Sequence, residues 1–171
     1  MPNDRRAWVP GGTYFFTVNL QDRESDLLVR EIALLRRVVV TTKARHPFAI
    51  NAWVVLPEHM HCLWTLPAGD SDFARRWMVI KQLFCRGLPA ATGANARRER
   101  GIWQRRYWEH LIRDSQDWRA HFDYIHINPV KHGWVSRIQD WPYSSFHRAV
   151  RDGLYPQDWA GNVDGVVPGG D

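Results

Sequence analysis

Two histidines one residue apart, His59 and His61, lie in the segment PEHMHCLWTLP, and a tyrosine, Tyr124, opens the segment YIHINPVKHG. Imidazole is the commonest side-chain ligand for metals, and residues two apart on a strand point the same way. Alternation sends His59, His61, Leu63 and Thr65 to one side and Met60, Cys62, Trp64 and Leu66 to the other. The second set is apolar and belongs against a core, which leaves both histidines on the opposite side, close enough to share one divalent ion. Cys62 is turned away from them. A His-x-His pair is also compatible with two half-exposed rings that hold nothing, so further groups have to come from elsewhere in the chain.

A helix from Ser115 or Asp117 supplies them. At about 100° per residue, Trp118, Phe122 and Ile125 form an apolar stripe, while His121, Tyr124, Asn128 and Lys131 form a polar one beside it. Pro129 disfavours helical geometry at Asn128, so the placing of Asn128 and Lys131 depends on the helix passing through it. A phenol is a weak nucleophile at neutral pH, but a divalent ion that polarises a phosphate favours its attack.

Charge points to the same chemistry. The chain of 171 residues carries 23 Lys+Arg and 18 Asp+Glu, a net +5. Between Arg75 and Arg113 ten basic residues face two acidic ones, or +8, and the remaining 13 basic and 16 acidic residues give −3. Such a strip steers a polyanion. Trp103 and Tyr107 are interleaved with it, and aromatic faces beside guanidinium groups suit unpaired bases. Lys81, Arg97, Arg98, Arg100, Trp103, Arg105 and Arg106 are therefore expected to contact single-stranded nucleic acid.

The elements that must position these groups follow from local signals. TYFFTVNL (13–20) reads as a first strand after Pro10-Gly11-Gly12, and a helix runs from Ser25 or Asp26 to about Arg45 with Leu28, Ile32, Leu35 and Val39 as its stripe. Strands follow over 48–55 and 59–66. Asp72 caps a helix in which Phe73, Trp77, Ile80 and Phe84 fall on one face, with Gly87 and Pro89 as stops. A fourth strand is expected across 105–112, before the tyrosine helix. The order is βαββαβ, an α+β, ferredoxin-like or RRM-like antiparallel sheet with two helices on one face, an added C-terminal helix bearing the tyrosine, and an open face for function. Residues 1–150 read as one domain, and 151–171, with five of the 12 glycines, as a flexible tail.

Composition excludes collagen, coiled-coil and disordered classes. Two cysteines make no disulfide framework, and no segment is long and apolar enough to span a membrane, so a soluble cytoplasmic protein is expected.

The segments WVVLPEHMHCLWTLP (53–67), IWQRRYWEHLIRD (102–114), YIHINPVKHGWV (124–135) and DWPYSSFHR (140–148) together resemble the REP-associated tyrosine transposases, a branch of the single-tyrosine HUH transposases. The resemblance spans nearly the whole chain short of the tail. It implies a ferredoxin-like fold and a metal-dependent single-stranded DNA endonuclease and strand transferase. His59 and His61 would bind Mg²⁺ or Mn²⁺ with Asn128 as a third ligand, and Tyr124 would be the nucleophile. His126 and Lys131 would support them from the same motif. Attack would leave a 5′-phosphotyrosine and a free 3′-hydroxyl without any nucleotide cofactor, on hairpins of repetitive extragenic palindromes. A monomer is expected, with a homodimer as the alternative. Two other readings remain at this level: a non-catalytic RRM-like module binding single strands on its open face, and a small phosphodiester hydrolase for which the basic strip is incidental.

Overall fold

The computed structural model describes residues 8–89 and 99–169. Arg97, Arg98 and the side chain of Arg100, three of the expected DNA contacts, lie outside the described residues. Strand β1 spans Thr13–Asn19, β2 Ala49–Val55, β3 His59–Thr65 and β4 Trp108–Leu111. The helices are α1 Leu27–Arg30, α2 Ile32–Arg45, α3 Phe73–Gly87, α4 Glu99–Ile102, α5 Ser115–Lys131 and α6 Phe146–Arg151.

The sheet runs β2-β3-β1-β4 with every pair antiparallel. The α1–α2 connection therefore passes over β3 to reach β2, and α3 passes over β1 to reach β4. This is the expected α+β architecture. The single helix expected over 26–45 is broken at Glu31, whose φ of −107° and ψ of 35° leave the helical region, so the buried positions move to Leu34, Leu35, Val38 and Thr42. In α3 the expected stripe Phe73, Trp77, Ile80 and Phe84 is fully buried, and the Asp72 carboxylate accepts the Arg75 N–H at 3.0 Å. Gly87 ends that helix for a packing reason as well, because a Cβ there would come within 2.5 Å of Leu34.

One face of the sheet carries Phe16, Val18, Met60, Cys62 and Trp64, packed under α2 and α3, with Trp64 stacked on Trp77 at 4.3 Å. The other face is not open, contrary to expectation. Phe15, Val54 and Leu63 meet Phe122, Ile125 and Phe146 in a second buried cluster, so α5 and the C-terminal segment lie on it. The physical reason is that α5 is buried on more than one side: Phe122, Tyr124, Ile125 and Ile127 are enclosed together with the polar His121, His126 and Asn128. Burying the apolar side chains among these against a sheet supplies several kcal/mol, at about 25 cal/mol per Å² of apolar surface. Beyond Arg151 the chain returns to this core with Tyr155 and Val167.

Pro129 does not end α5, which runs on to Lys131. The His132 N–H bonds Asn128 O at 3.0 Å, so helical geometry persists past the ring. At the other end the Asp114 carboxylate, which the sequence reading overlooked in favour of Ser115 or Asp117, accepts the Asp117 N–H at 2.7 Å.

Candidate active site

Strand alternation in β3 works as expected, placing His59 and His61 on the α5 side. Across the sheet Val54, His61, Thr17 and Trp108 stand in one row, and Asn19 stands opposite His59. Both histidines are buried beneath α5 rather than open to solvent, and their ring centroids are 4.9 Å apart with planes at 82°.

The helix brings Tyr124 to them. Its ring lies 5.5 Å from that of His61, and the Lys131 ammonium stands 4.8 Å over the tyrosine ring and 3.5 Å from its hydroxyl. Lys131 reaches this point only because the helix continues through Pro129. Asn128, one turn on from Tyr124, is fully buried. A cavity of about 210 Å³ borders the tyrosine, walled by Ala120, Asp123, Trp159, Val166 and Val167.

Each histidine is oriented through Nδ1. His59 Nδ1 donates to the Glu58 carboxylate at 2.6 Å, and Arg23 stands 3.7 Å from the same oxygen. Burial raises the Glu58 pKa, but the His59 hydrogen bond and the Arg23 charge carry it below the ordinary carboxylate value. His61 Nδ1 is 2.8 Å from the Thr17 hydroxyl, and burial, reinforced by His59, His132, Lys131 and Arg23, holds its pKa well below the ordinary value. The ring is neutral, as a ligand must be.

Among the described residues His61 Nε2 and both amide atoms of Asn128 are buried without a hydrogen-bond partner. Buried polar atoms are seldom left so, and a cation would satisfy a bare imidazole nitrogen and an amide oxygen. The residues present therefore fit a divalent ion. A separate group that could hold a cation, His110, Asp117 and His121, has its ligand atoms within 4.8 Å of one another. There Asp117 accepts from His110 Nε2 at 2.9 Å and from the Arg113 backbone N–H at 3.0 Å, tying β4 to α5.

A relative from Escherichia coli (strain K12), the REP-associated tyrosine transposase, is 55% identical over 163 residues, covering 95% of this chain and 93% of the relative. The chain belongs to the REP-associated tyrosine transposases. A relative from Haemophilus influenzae (strain ATCC 51907 / DSM 11121 / KW20 / Rd), named for the same family, is 47% identical over 174 residues and 99% of both chains. A solved structure of a REP-associated tyrosine transposase bound to a REP hairpin superposes with a TM-score of 0.89 at 53% identity, covering 100% of this chain and 98% of that one. No family model matches the chain.

The transposase is thus an enzyme, and the reading as an RRM-like binding module also loses its structural premise, since α5 and the C-terminal segment cover the face it would have used. Other expected residues are placed differently. Trp103 is 3% exposed, bridges to Leu20 and packs edge-on to Phe84 at 5.4 Å, so it offers no face to a base. Lys81 donates to Gln104 O at 3.1 Å and sits over Tyr107. Arg105 and Arg106 are exposed just before β4. His126, about 200° round the helix from Tyr124, turns away from the site. Its Nε2 lies 2.8 Å from Ser145 Oγ and its Nδ1 3.3 Å from Tyr155 OH, so it fastens α5 to the C-terminal segment.

The sequence reading overlooked three residues here. Thr17 was unmarked because its role is visible only in the β1–β3 register. Trp108, 44% exposed in the same row as His61, had been assigned to a longer strand; the backbone of Gly169, at φ 70°, lies so close to its indole that any side chain at 169 would collide with it. His132 was hidden behind Pro129, and its ring is 5.2 Å from that of His59.

Proposed function

We propose that this transposase is a metal-dependent single-stranded DNA endonuclease and strand transferase acting in the cytoplasm on hairpins of repetitive extragenic palindromes, with Tyr124 as nucleophile. The observation that carries the proposal is the convergence of Tyr124, from α5, on the His59–His61 pair, from β3, with ring centroids of His61 and Tyr124 5.5 Å apart. The binding of a REP hairpin by the family member solved with one supports the substrate class.

His59 and His61 would hold Mg²⁺ or Mn²⁺ through Nε2, and Asn128 through its amide oxygen. A divalent ion there would neutralise charge on the non-bridging oxygens of the scissile phosphate. Tyr124 Oη attacks phosphorus, the P–O3′ bond breaks, and the departing oxygen takes a proton to become a 3′-hydroxyl. The DNA is left as a 5′-phosphotyrosine, which a 3′-hydroxyl of another strand can attack in the reverse step. Bond energy is conserved in the ester, so no nucleotide is consumed. The Lys131 ammonium, 3.5 Å from the hydroxyl, stabilises negative charge on the phenol oxygen as its proton leaves. Arg105 and Arg106, both exposed, would follow the phosphate backbone, and the half-exposed Trp108 would stack a base beside the site.

Incubation of the full chain with a labelled hairpin DNA and Mn²⁺ should yield a denaturant-stable protein–DNA adduct and a shortened strand. Tyr124→Phe should lose both while still binding the hairpin. Cleavage by that variant at the wild-type rate would overturn the proposal.

A further inference from the structure

Helix α5 ends in a tightly bonded turn. The Trp134 N–H bonds Pro129 O at 2.9 Å and the Gly133 N–H bonds Val130 O at 3.0 Å, with Gly133 at φ 76°. This is the Schellman pattern, in which a residue in the left-handed region reverses the chain, and glycine does so with least strain. The residue after that glycine ordinarily lays an apolar side chain back against the last helical turn. Trp134 does this only in part, since it remains 50% exposed.

The turn places this indole beside the candidate active site. Lys131, three residues before Trp134, brings its ammonium to 3.5 Å from the Tyr124 hydroxyl, and His132, two residues before it, has its ring 5.2 Å from that of His59. Trp134 itself lies 6.1 Å from the ring of Trp141, whose indole N–H donates to Val55 O of β2 at 3.0 Å. Trp108 starts β4, and β2 and β4 are the two edges of the sheet. Two exposed indoles therefore flank the His61–Tyr124 pair from opposite sides, across three strand spacings or about 14 Å.

The surroundings of Trp134 point to a base. Trp8 is also half-exposed, but it is stacked on Phe73 at 4.7 Å with planes 13° apart, on the α3 side of the sheet and away from both histidines. Trp134 meets Trp141 tilted at 40° rather than stacked, so a flat partner can still lie on its indole. Its exposed neighbours in the chain, His132, Ser136 and Arg137, are polar, and the indole does not belong to an extended apolar patch of the kind a protein partner needs. Arg23, exposed, stands 3.7 Å from Glu58 at the His59 end of the site, and with Lys131 it puts cations on this side. An exposed indole with cations nearby, next to a tyrosine that attacks phosphate, suits an unpaired base.

Resting on the proposed attack of Tyr124 on a single strand, we propose that Trp134 stacks an unpaired base of that strand, on the side of the scissile phosphate opposite Trp108. The strand is then held at two points with the reacting phosphate between them. Because backbone hydrogen bonds fasten Trp134 to the end of α5, the helix that carries the nucleophile also positions the base beside the bond it cuts.

The test uses the full chain in chelator, so that binding is read without cleavage, and hairpin DNA with single-stranded flanks carrying 2-aminopurine at one flank position at a time. Stacking on the indole should quench the fluorescence at one position, and 5-iodouracil placed there should photocrosslink to Trp134. Trp134→Ala is expected to remove that quenching and to weaken binding of the flanked hairpin about 5- to 150-fold, the contribution of one base stacked on an aromatic ring. It should bind a hairpin without flanks as wild type does, and Trp134→Phe, which keeps a ring, should retain most of the affinity for flanked DNA. Wild-type affinity of Trp134→Ala for flanked DNA, or an equal loss for DNA with and without flanks, overturns the inference. Should Trp134→Ala fail to fold, the absence of a Trp134 crosslink from every flank position of the wild-type complex overturns it equally. Tyr124→Phe is assayed alongside in Mn²⁺. Cleavage of the flanked hairpin by that variant sinks the reading of Tyr124, whereas an inactive Tyr124→Phe beside a Trp134→Ala that binds flanked DNA normally sinks the role of Trp134 alone.

Discussion

Thr17 has one hydroxyl proton, and it is given to the Gly169 carbonyl at 2.6 Å. Only lone pairs of that oxygen then face His61 Nδ1, so Nδ1 carries the ring proton and Nε2 is bare. A threonine on the neighbouring strand thus selects the tautomer that can bind a metal. Thr17→Val keeps the volume of a 5%-exposed residue and loses the hydroxyl. It is expected to leave the fold intact and to weaken Mn²⁺ affinity about 10- to 100-fold, as seen when partners of metal-ligating histidines are removed. A titration showing wild-type affinity would refute the tautomer argument. At this scale the alternation of β3 made the histidine pair legible in the sequence, because period-two geometry needs no tertiary information. The aromatic contact was not legible: Trp103 and Trp108 are five residues apart among the same arginines, and only the short β4, starting at Trp108, decides which indole is buried.

Helix α5 is held from both sides, so its polar stripe is enclosed along with its apolar one. Much of its polar stripe is buried: His121 bonds the Asp117 carbonyl at 2.8 Å and Asn128 is fully buried, while His126, outside that stripe, bonds Ser145. Polar groups can be buried where they serve one another, and sequence spacing does not show the partners. The histidines also make the packing of α5 sensitive to acid. Burial pulls the His126 pKa down from 6.5 to about 3. Between those values the unfolded chain binds a proton that the folded chain excludes, so the contribution is full above about pH 6.5 and is lost progressively as pH falls towards about 3. His61 and His121, also lowered chiefly by burial, add in the same direction. The melting temperature should therefore fall between about pH 7 and pH 5, and His126→Gln should shallow that slope by one proton's share. A wild-type melting temperature flat across this range would contradict the neutral buried state. Helix existence and type were readable from periodicity. The break at Glu31 and the passage through Pro129 were not, because both follow from what the helices pack against.

For the whole molecule, the +8 strip is less of a DNA-facing surface than its count suggested. Arg76 is 2% exposed and spends its charge on Asp70 at 2.7 Å and on the carbonyls of His46, Pro47 and Asp72. It ties α3 to the start of β2. Arg105 and Arg106, by contrast, project beside the row that contains Trp108 and His61, so local charge at the site, more than net charge, would steer a strand into it. Among the described residues no helix is long and apolar enough to cross a membrane. The covering of the second sheet face has a kinetic meaning. Because α5 lies on the sheet of its own chain, Tyr124, Lys131 and the His59 and His61 imidazoles are brought together within one chain. Turnover per chain should then be constant over about a thousandfold dilution, with cleavage strictly first order in protein, whereas cleavage at a shared site would become second order in protein below its dissociation constant. In a cell holding only a handful of copies, each molecule would act alone at the hairpin it has found.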